Sequence, residues 1–135
     1  MAKLKIGIVG STSTNFSESE ARTALENTVS QIQSEHGGTP VIVSELMNIG
    51  VNRLAYEFAE NSGYETYGIL DKRREGTEEY EDVDNRIIDG ETYGDHYDRF
   101  FKEIDVFFRL GGSDTARKNA AIAESKGIPV YEVNL

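Results

Sequence analysis

Two adjacent glycines, Gly111 and Gly112, follow an apolar run and precede Ser113, Asp114 and Thr115. Glycine allows the backbone to turn sharply and to approach a ligand closely. If a helix begins after this turn, its free N–H groups and the two hydroxyls form a site for a phosphate or another polar group. The alternative is an ordinary strand-to-helix turn in which Ser113 or Asp114 caps the helix.

A similar polar loop follows the first apolar run, where Gly10 is followed by Ser11 and Thr12. It lacks the later glycines of a dinucleotide-binding loop and the lysine of a Walker loop. Its hydroxyls can donate to a ligand or can simply cap the next helix. Asn52 and Arg53 open another helix, and this arginine can either pair with a phosphate or remain solvated.

Charged groups beside the double-glycine turn bear on its chemistry. Lys118 lies one helical turn after Thr115, so its cation can reach back to an anion at the helix start. Asp114 would repel a phosphate but would suit a ribose hydroxyl. If the protein is an enzyme, Asp114 or an acid of residues 75–105 is the candidate for its catalytic carboxylate. The basic run at residues 72–74 can face a pocket, or it can neutralise neighbouring acids, which we favour slightly.

The histidines and the absence of cysteine give little indication of a metal site. His96 lies between Asp95 and Asp98, a spacing that in an acidic helix usually belongs to the solvated surface. The chain has no cysteine, which removes thiolate ligands, disulfides and thiol nucleophiles. We therefore predict no metal and no bound cofactor.

Short apolar runs alternate with segments of helical periodicity along the chain. Helix starts and ends are marked by the Ser17–Glu20 capping box, by the glycines at 37–38 and by Gly63. Strands are predicted at residues 3–10, 40–44, 64–70, 105–110 and 128–133, and helices at 17–36, 51–62, 93–103 and 113–125. Residues 77–89 are interpreted as a loop or a short helix.

This alternation predicts an α/β fold, with a single Rossmann-like three-layer domain over residues 1–135. We expect a mostly parallel sheet of about five strands with helices on both faces. In such sheets a ligand binds beyond the carboxyl ends of the strands, where the strand order switches. The segments in which to search for a site are therefore residues 10–15, 44–53, 71–74 and 111–115.

Composition restricts the partners. The net charge of −10 in 135 residues disfavours long nucleic acid, because like charges repel, although a small nucleotide remains compatible. Many of the acids lie in residues 75–104, which we interpret as an insertion-like, solvated segment. The sequence contains no run of 18 apolar residues, so no membrane-spanning helix is predicted. The chain enters a strand at once and has no cysteine, which favours a cytoplasmic protein.

Three stretches resemble the SLOG superfamily, the Rossmann-like domains that include the Lonely Guy (lysine-decarboxylase-like) and DprA/Smf proteins. Residues 6–11, Ile-Gly-Ile-Val-Gly-Ser, are similar to the first strand and ligand loop of that family. Residues 50–55, Gly-Val-Asn-Arg-Leu-Ala, resemble its Gly-[IVA]-Asp-Arg-Leu-Ala helix start. Residues 111–115 resemble its Gly-Gly-x-Gly-Thr motif.

The resemblance implies a nucleotide or nucleotide-derived ligand bound by these loops. Relatives that cleave the N-glycosidic bond of nucleoside monophosphates have a glutamate three residues after the motif threonine. Lys118 occupies that position here, Asp114 replaces a motif glycine, and Asn52 replaces an aspartate. These departures favour binding over hydrolysis.

The sequence thus predicts a protein that binds or senses a small nucleotide-like ligand without turnover. Two alternatives stay open: a hydrolase or transferase acting on the N-glycosidic bond of a nucleotide, and an acidic protein-interaction module with a vestigial pocket. A homodimer is compatible with each. The predicted ligand-binding residues are Gly10, Ser11, Thr12, Asn52, Arg53, Gly111, Gly112, Ser113, Thr115 and Lys118.

Overall fold

The computed structural model describes residues 2–13 and 15–135. Within these ranges six parallel strands form one sheet, in the order β4-β3-β2-β1-β5-β6, so the order reverses between β1 and β5. The strands are β1 (Lys3–Gly10), β2 (Thr39–Glu45), β3 (Glu65–Leu70), β4 (Asn85–Ile88), β5 (Val106–Leu110) and β6 (Val130–Val133).

Four α-helices cover the sheet in the described part of the chain, two on each face. They are α1 (Glu18–His36), α2 (Gly50–Ser62), α3 (Tyr97–Glu103) and α4 (Asp114–Ser125). The apolar faces of α1 and α2 pack with β1, β2 and β5 into one core cluster. The opposite cluster joins α3 and α4 to the other side of the sheet. The predicted three-layer Rossmann-like α/β fold is confirmed.

The helix boundaries follow the local signals in the sequence. Ser17 caps α1, and its hydroxyl accepts a hydrogen bond from the Glu20 N–H at 3.3 Å. Gly37 ends α1 and Gly63 ends α2, both with positive φ. The predicted face of α1 is buried, as shown by Ala21 and Leu25, neither of which has exposed area. Local capping and periodicity therefore suffice to place these helices.

The acid-rich segment differs from its prediction as a loop or short helix. It contributes β4, which pairs in parallel with β3, with Tyr67 opposite Asn85 and Leu70 opposite Ile88. It follows a short 3-10 helix at Lys72–Arg74 and precedes α3, which begins at Tyr97 rather than at residue 93. The sheet therefore has one strand more than the five expected. Among the residues placed by the structure, no helix has the length and apolar character that a membrane crossing requires.

Candidate functional site

A cavity of about 100 Å³ opens at the carboxyl ends of the strands, where the strand order reverses. Loops after β1, β2, β3 and β5 all reach this cavity, because parallel strands end at the same edge of the sheet. Predicted site residues and unpredicted ones line it together. The lining residues are Val9, Gly10, Thr12, Glu45, Arg74, Tyr93, Tyr97, Ser113, Thr115, Ala116 and Asn119.

Two glycines allow the loops after β1 and β5 to pack against each other. Gly10 pairs with Leu110 across the sheet, and a Cβ at position 10 would lie 2.0 Å from the Leu110 carbonyl oxygen. Gly112 has a φ of 101°, and a Cβ there would lie 2.7 Å from Ala116 and 3.1 Å from the Gly10 backbone. Any larger residue at either position would force the two loops apart.

The start of α4 presents donors toward this loop pair. Ser113 is the N-cap residue, but its side chain makes no capping hydrogen bond within the described structure. The N–H groups of the first turn of α4 are therefore not satisfied by this side chain. Ser113 and Thr115 add hydroxyls at the cavity wall. Such a helix start favours an anion.

Asn119, one turn further along α4, has an unused donor in the same cavity. Its side chain is buried, and its Nδ2 group has no hydrogen-bond partner among residues 2–13 and 15–135. Leaving an amide donor buried and unpaired costs about 1–3 kcal/mol. A ligand acceptor in the cavity would supply the missing partner.

Arg109 fixes the carbonyl side of the double-glycine turn. This buried side chain donates from Nη1 to the Gly111 carbonyl at 2.9 Å. Its other nitrogens donate to Glu132 at 2.6 Å and to Asn134 at 2.9 Å. The turn is therefore held from β6 as well as from β1. Sequence reasoning did not identify this arginine, since it lies within an apolar strand.

A buried cluster of charges contributes Glu45 and Arg74 to the lining of the cavity. Glu45 ends β2 and accepts hydrogen bonds from Tyr97 at 3.0 Å and from Arg74 at 3.3 Å. Asp71 follows β3 and accepts from Nε and Nη2 of Arg74 at 3.0 and 2.9 Å. His96 lies between the carboxylates, with Nε2 3.1 Å from Glu45 and Nδ1 3.3 Å from Asp71. A ring protonated on both nitrogens would donate to both.

The acid groups of this cluster stay ionised more readily than ordinary carboxyls. Burial by itself raises the pKa of Glu45, but hydrogen bonding and attraction to His96, with the charge of Arg74, outweigh it, so the pKa lies below 4.5. Burial likewise opposes ionisation of Asp71. Hydrogen bonds from Arg74 and from the Gly94 N–H nevertheless lower the pKa of Asp71 below 3.8.

Lowered pKa values predict a specific loss of stability in acid. Because the folded-state values lie below the ordinary ones, the unfolded chain takes up these protons first as the pH falls. The contribution of Glu45 and Asp71 is therefore complete above about pH 5 and is lost progressively below it. Urea unfolding from pH 7 to pH 3 measures this, and Glu45→Gln should flatten the profile. Identical pH profiles for the variant and the wild type would contradict the assignment.

The structure brings some of the predicted ligand residues together. Gly10, Thr12, Ser113 and Thr115 line the cavity. Ser11 and Gly112 line an adjoining cavity of about 330 Å³, which shares Thr12 and Ser113 with the first. Gly111 lies behind the turn, against Leu135. Thr14, within the predicted search segment 10–15, lies outside the described residues.

Other predicted residues lie elsewhere. Arg53 pairs with Glu18 and, at 2.8 Å, with Glu57, which places it on the outer surface of α1 and α2. Asn52 is buried and receives a 3.0 Å hydrogen bond from Ser44, but it does not line the cavity. An arginine beside two surface glutamates is satisfied by them, and therefore it does not turn toward the loops.

The charged residues of α4 do not converge on the cavity. Asp114 has a side chain that is 95% exposed, with its carboxylate 3.8 Å from Arg117. Lys118 is exposed, and it is absent from the cavity lining. A solvated carboxylate at this position lacks the surroundings that tune a catalytic acid or base.

The missed residues carried signals of uneven strength. Glu45 is the last residue of β2 and Asp71 directly follows β3, so both mark the carboxyl edge of the sheet. For the basic run at residues 72–74 the two alternatives were a pocket and neighbouring acids, and Arg74 does both. It pairs with Glu45 and Asp71, and it also lines the cavity. The sequence predicts His96 on a solvated helix, but its side chain is fully buried just before α3. Its burial is stabilised by the carboxylates of Glu45 and Asp71, which lie within 3.3 Å of its ring nitrogens. The described residues contain no group of three or more histidine, aspartate and glutamate side chains that could hold a metal ion.

The strand order and the cavity at its reversal define a Rossmann-like protein. No protein-family model matches the chain, and no curated protein matches its sequence. Solved structures do share its fold. The molybdenum cofactor carrier protein of Chlamydomonas reinhardtii superposes with a TM-score of 0.75 at 22% identity, over 96% of this chain and 76% of that protein.

Two further structures extend this likeness. The molybdenum cofactor binding protein of the phototrophic bacterium Rippkaea orientalis has a TM-score of 0.71 at 21% identity, covering 99% of this chain and 77% of that one. The structural-genomics target TM1055 has a TM-score of 0.72 at 19% identity, covering 94% and 72%. At these identities the likeness shows a common fold.

Proposed function

We propose that this protein binds a small phosphorylated organic ligand at the carboxyl ends of its strands and holds it without chemical turnover, as a carrier or sensor. The observation on which this rests is Asn119, whose buried Nδ2 has no partner in the described residues and lies in the cavity beside the start of α4. A ligand oxygen accepting this hydrogen would remove the cost of an unpaired donor.

The available donors fit a single phosphate group better than a polyphosphate. The wall supplies neutral donors, namely the N–H groups of α4 and the hydroxyls of Thr12, Ser113 and Thr115. Arg74 is the one cation in the described lining, and the carboxylates of Asp71 and Glu45 already offset its charge. In a chain of net charge −10, this leaves little positive potential for several phosphates.

Two candidate ligands follow from independent lines of support. The sequence resemblance to the SLOG superfamily, of which we propose this chain is a divergent member, favours a nucleotide or a nucleotide-derived molecule. Two structural neighbours are named as a carrier and a binding protein of the molybdenum cofactor, which supports a carrier role with that cofactor as cargo. Recognition here would fall on the organic part of such a ligand, since no described group of side chains is placed to hold a metal.

Holding rather than cleavage is supported by the state of the carboxylates. Glu45 is the one carboxylate in the described cavity lining, and its oxygens accept from His96, Tyr97 and Arg74. Its lowered pKa makes it a poor proton donor and a weak base at neutral pH. The alternative hydrolase would need a free carboxylate inside the cavity. Asp114 does not meet this need, because its side chain is solvated and does not line the cavity.

Screening for thermal stabilisation tests the proposal directly. The panel is AMP, GMP, CMP, UMP and the molybdenum cofactor, with calorimetric titration of each compound that raises the melting temperature. Chromatography of the same mixtures detects released base. Stabilisation without base release supports the carrier or sensor, while base release abolished in Glu45→Gln or Asp114→Asn would establish the hydrolase instead. No stabilisation by any compound would overturn the proposal.

Asn119→Leu is expected to weaken binding of the tightest panel compound by about tenfold or more, because one hydrogen bond in a buried site is lost. The same change should leave the ligand-free protein equally stable or slightly more stable, because it removes an unpaired buried donor.

Asn52→Leu is the matched control for this substitution. Asn52 also has an unpaired buried Nδ2, but it lies outside the cavity lining and accepts from Ser44. Its replacement should lower the free energy of unfolding and leave the dissociation constant unchanged. The reverse pattern, with binding lost in Asn52→Leu and retained in Asn119→Leu, would move the site to the start of α2.

A further inference from the structure

Tyr93 is a large aromatic side chain that lines the cavity and yet faces solvent. It is 66% exposed, more than any other large hydrophobic side chain in the described ranges. Its position is within the acid-rich segment that the sequence suggested was an insertion, between β4 and α3. Aromatic side chains are common in the lining of small-molecule sites.

The ring is the outer end of a stack that continues into the protein. The guanidinium of Arg74 lies 4.3 Å from the centre of the Tyr93 ring. The same guanidinium contacts His96, with Nη2 of Arg74 3.5 Å from both ring nitrogens. The His96 ring in turn lies 4.2 Å from that of Tyr97. Three of these four groups are buried or nearly so, which anchors the stack, and Tyr93 alone extends to the surface.

The turn that presents Tyr93 is held on both sides. The Asp95 carboxylate accepts from the N–H of Thr92 at 2.9 Å and from its hydroxyl at 2.8 Å. The Gly94 N–H donates to Asp71 at 3.3 Å. The Asp71 carboxylate also accepts hydrogen bonds from Arg74, so the same side chain fixes both the turn and the guanidinium. Tyr93 is therefore positioned before any ligand arrives, which lowers the entropic cost of using it.

Arg74 determines which face of Tyr93 is available. One face of the ring is covered by the guanidinium, so the exposed area belongs to the opposite face and the edge. A cation on one face draws electron density from the ring. The open face then favours stacking with a flat, electron-rich ring system over contact with a saturated group.

We propose that Tyr93, backed by Arg74, is the specificity-determining platform for a planar heteroaromatic group of the ligand. This rests on the proposed function, in which the phosphate of the same ligand lies at Ser113 and Thr115. Both ends line one cavity, to which the segment after β3 contributes Arg74 and Tyr93 and the start of α4 contributes Ser113 and Thr115. The ligand class is thus a phosphate joined to a flat nitrogen heterocycle, and the acid-rich segment supplies the recognition of the ring.

Two probes separate the platform from the phosphate site. GMP and ribose 5-phosphate have the same sugar phosphate, and only GMP has a ring. Calorimetric titrations of the wild type should give a tighter dissociation constant for GMP. Tyr93→Leu should weaken GMP binding about tenfold, which is typical for loss of one base–aromatic stack, and should leave ribose 5-phosphate unchanged. Tyr93→Phe should keep GMP affinity, because stacking needs the ring and not the hydroxyl.

Other outcomes of these titrations would reject the platform, the proposed function or both. If the wild type binds ribose 5-phosphate as tightly as GMP, or if Tyr93→Leu leaves GMP affinity intact, the platform is overturned while the phosphate site stands. If Tyr93→Phe loses GMP affinity as Tyr93→Leu does, the hydroxyl is the recognition group and the stack is rejected. If the wild type binds neither probe but binds another compound of the panel, unchanged affinity of Tyr93→Leu for that compound overturns the platform. If it binds no compound of the panel, the proposed function and the platform both fail. Unfolding curves of the variants are expected to match the wild type, because the ring is exposed.

Discussion

Replacing Arg74 by methionine is expected to lower the free energy of unfolding by about 3 kcal/mol, the size typical of removing one partner from a buried ion pair. The guanidinium donates hydrogen bonds to both Asp71 and Glu45. The Asp71 side chain has no exposed area, and the Glu45 side chain is 10% exposed. Methionine retains most of the apolar stem but leaves the two buried carboxylates without a guanidinium, with the His96 imidazole still beside both of them. Their desolvation is then poorly compensated.

Arg86→Met is the control for this change. Arg86 also contacts two acids, Glu79 at 2.7 Å and Glu75 at 3.2 Å, but its side chain is 44% exposed. Solvent replaces such contacts, so the expected loss is within about 1 kcal/mol. Denaturant unfolding followed by circular dichroism measures both. In a Glu45→Gln background, Arg74→Met should cost less, because one carboxylate is now neutral. Equal losses in the two single variants would contradict a buried cluster.

The position of this cluster was predictable, but its composition was not. Residues 44–53 and 71–74 were selected because parallel strands deliver their ends to one edge. Which of those residues turn inward depends on partners far along the chain. Glu45 contacts His96 51 positions away, and a glutamate is rarely buried without such a partner. Charge patterns in one sequence do not report contacts of that range.

A related limit explains the missed strand. The two isoleucines of β4, at positions 87 and 88, are only half-buried, and the strand lies at the sheet edge among many acids. Its pairing with β3 supplies the missing stabilisation through the ladder. By contrast, β1, β2 and β5 lie inside the sheet and are nearly continuous apolar runs. Such runs identify buried parallel strands without knowledge of their neighbours.

The two asparagines show the same limit within the site. The family resemblance pointed to Asn52, at the start of α2, and gave no reason to select Asn119. Both are buried, and both have an Nδ2 group without a partner among the described residues. Which of them faces the cavity depends on how α2 and α4 are rotated against the sheet. Helical periodicity assigns both to the inward face and cannot separate a residue facing a core from one facing a cavity.

Gly10→Ala is expected to disrupt the site more than its small size suggests, with a loss of about 1–3 kcal/mol in stability. The added Cβ would lie 2.0 Å from the Leu110 carbonyl oxygen, an atom of the backbone that no rotamer change can remove. β1 and β5 must then separate at their carboxyl ends. That displaces the Ser11 N–H, which donates to Leu110 at 3.3 Å, and moves the backbone against which Gly112 packs. Both loops that we propose bind the phosphate then lose their alignment.

Gly63→Ala separates this local effect from a general loss of stability. Gly63 ends α2 with a φ of 73°, and a Cβ there would meet nothing within 4 Å, so the cost is the conformational one of about 1–2 kcal/mol. The two variants should thus be destabilised comparably, while amide hydrogen exchange of Ser11 rises beyond the change in global stability in Gly10→Ala alone. Binding of GMP or the other panel ligands should fall in that variant and persist in Gly63→Ala. If Ser11 exchange tracks global stability equally in both, the contact between the two loops does not depend on the missing Cβ, and the close packing of Gly10 against Leu110 is not what shapes the cavity.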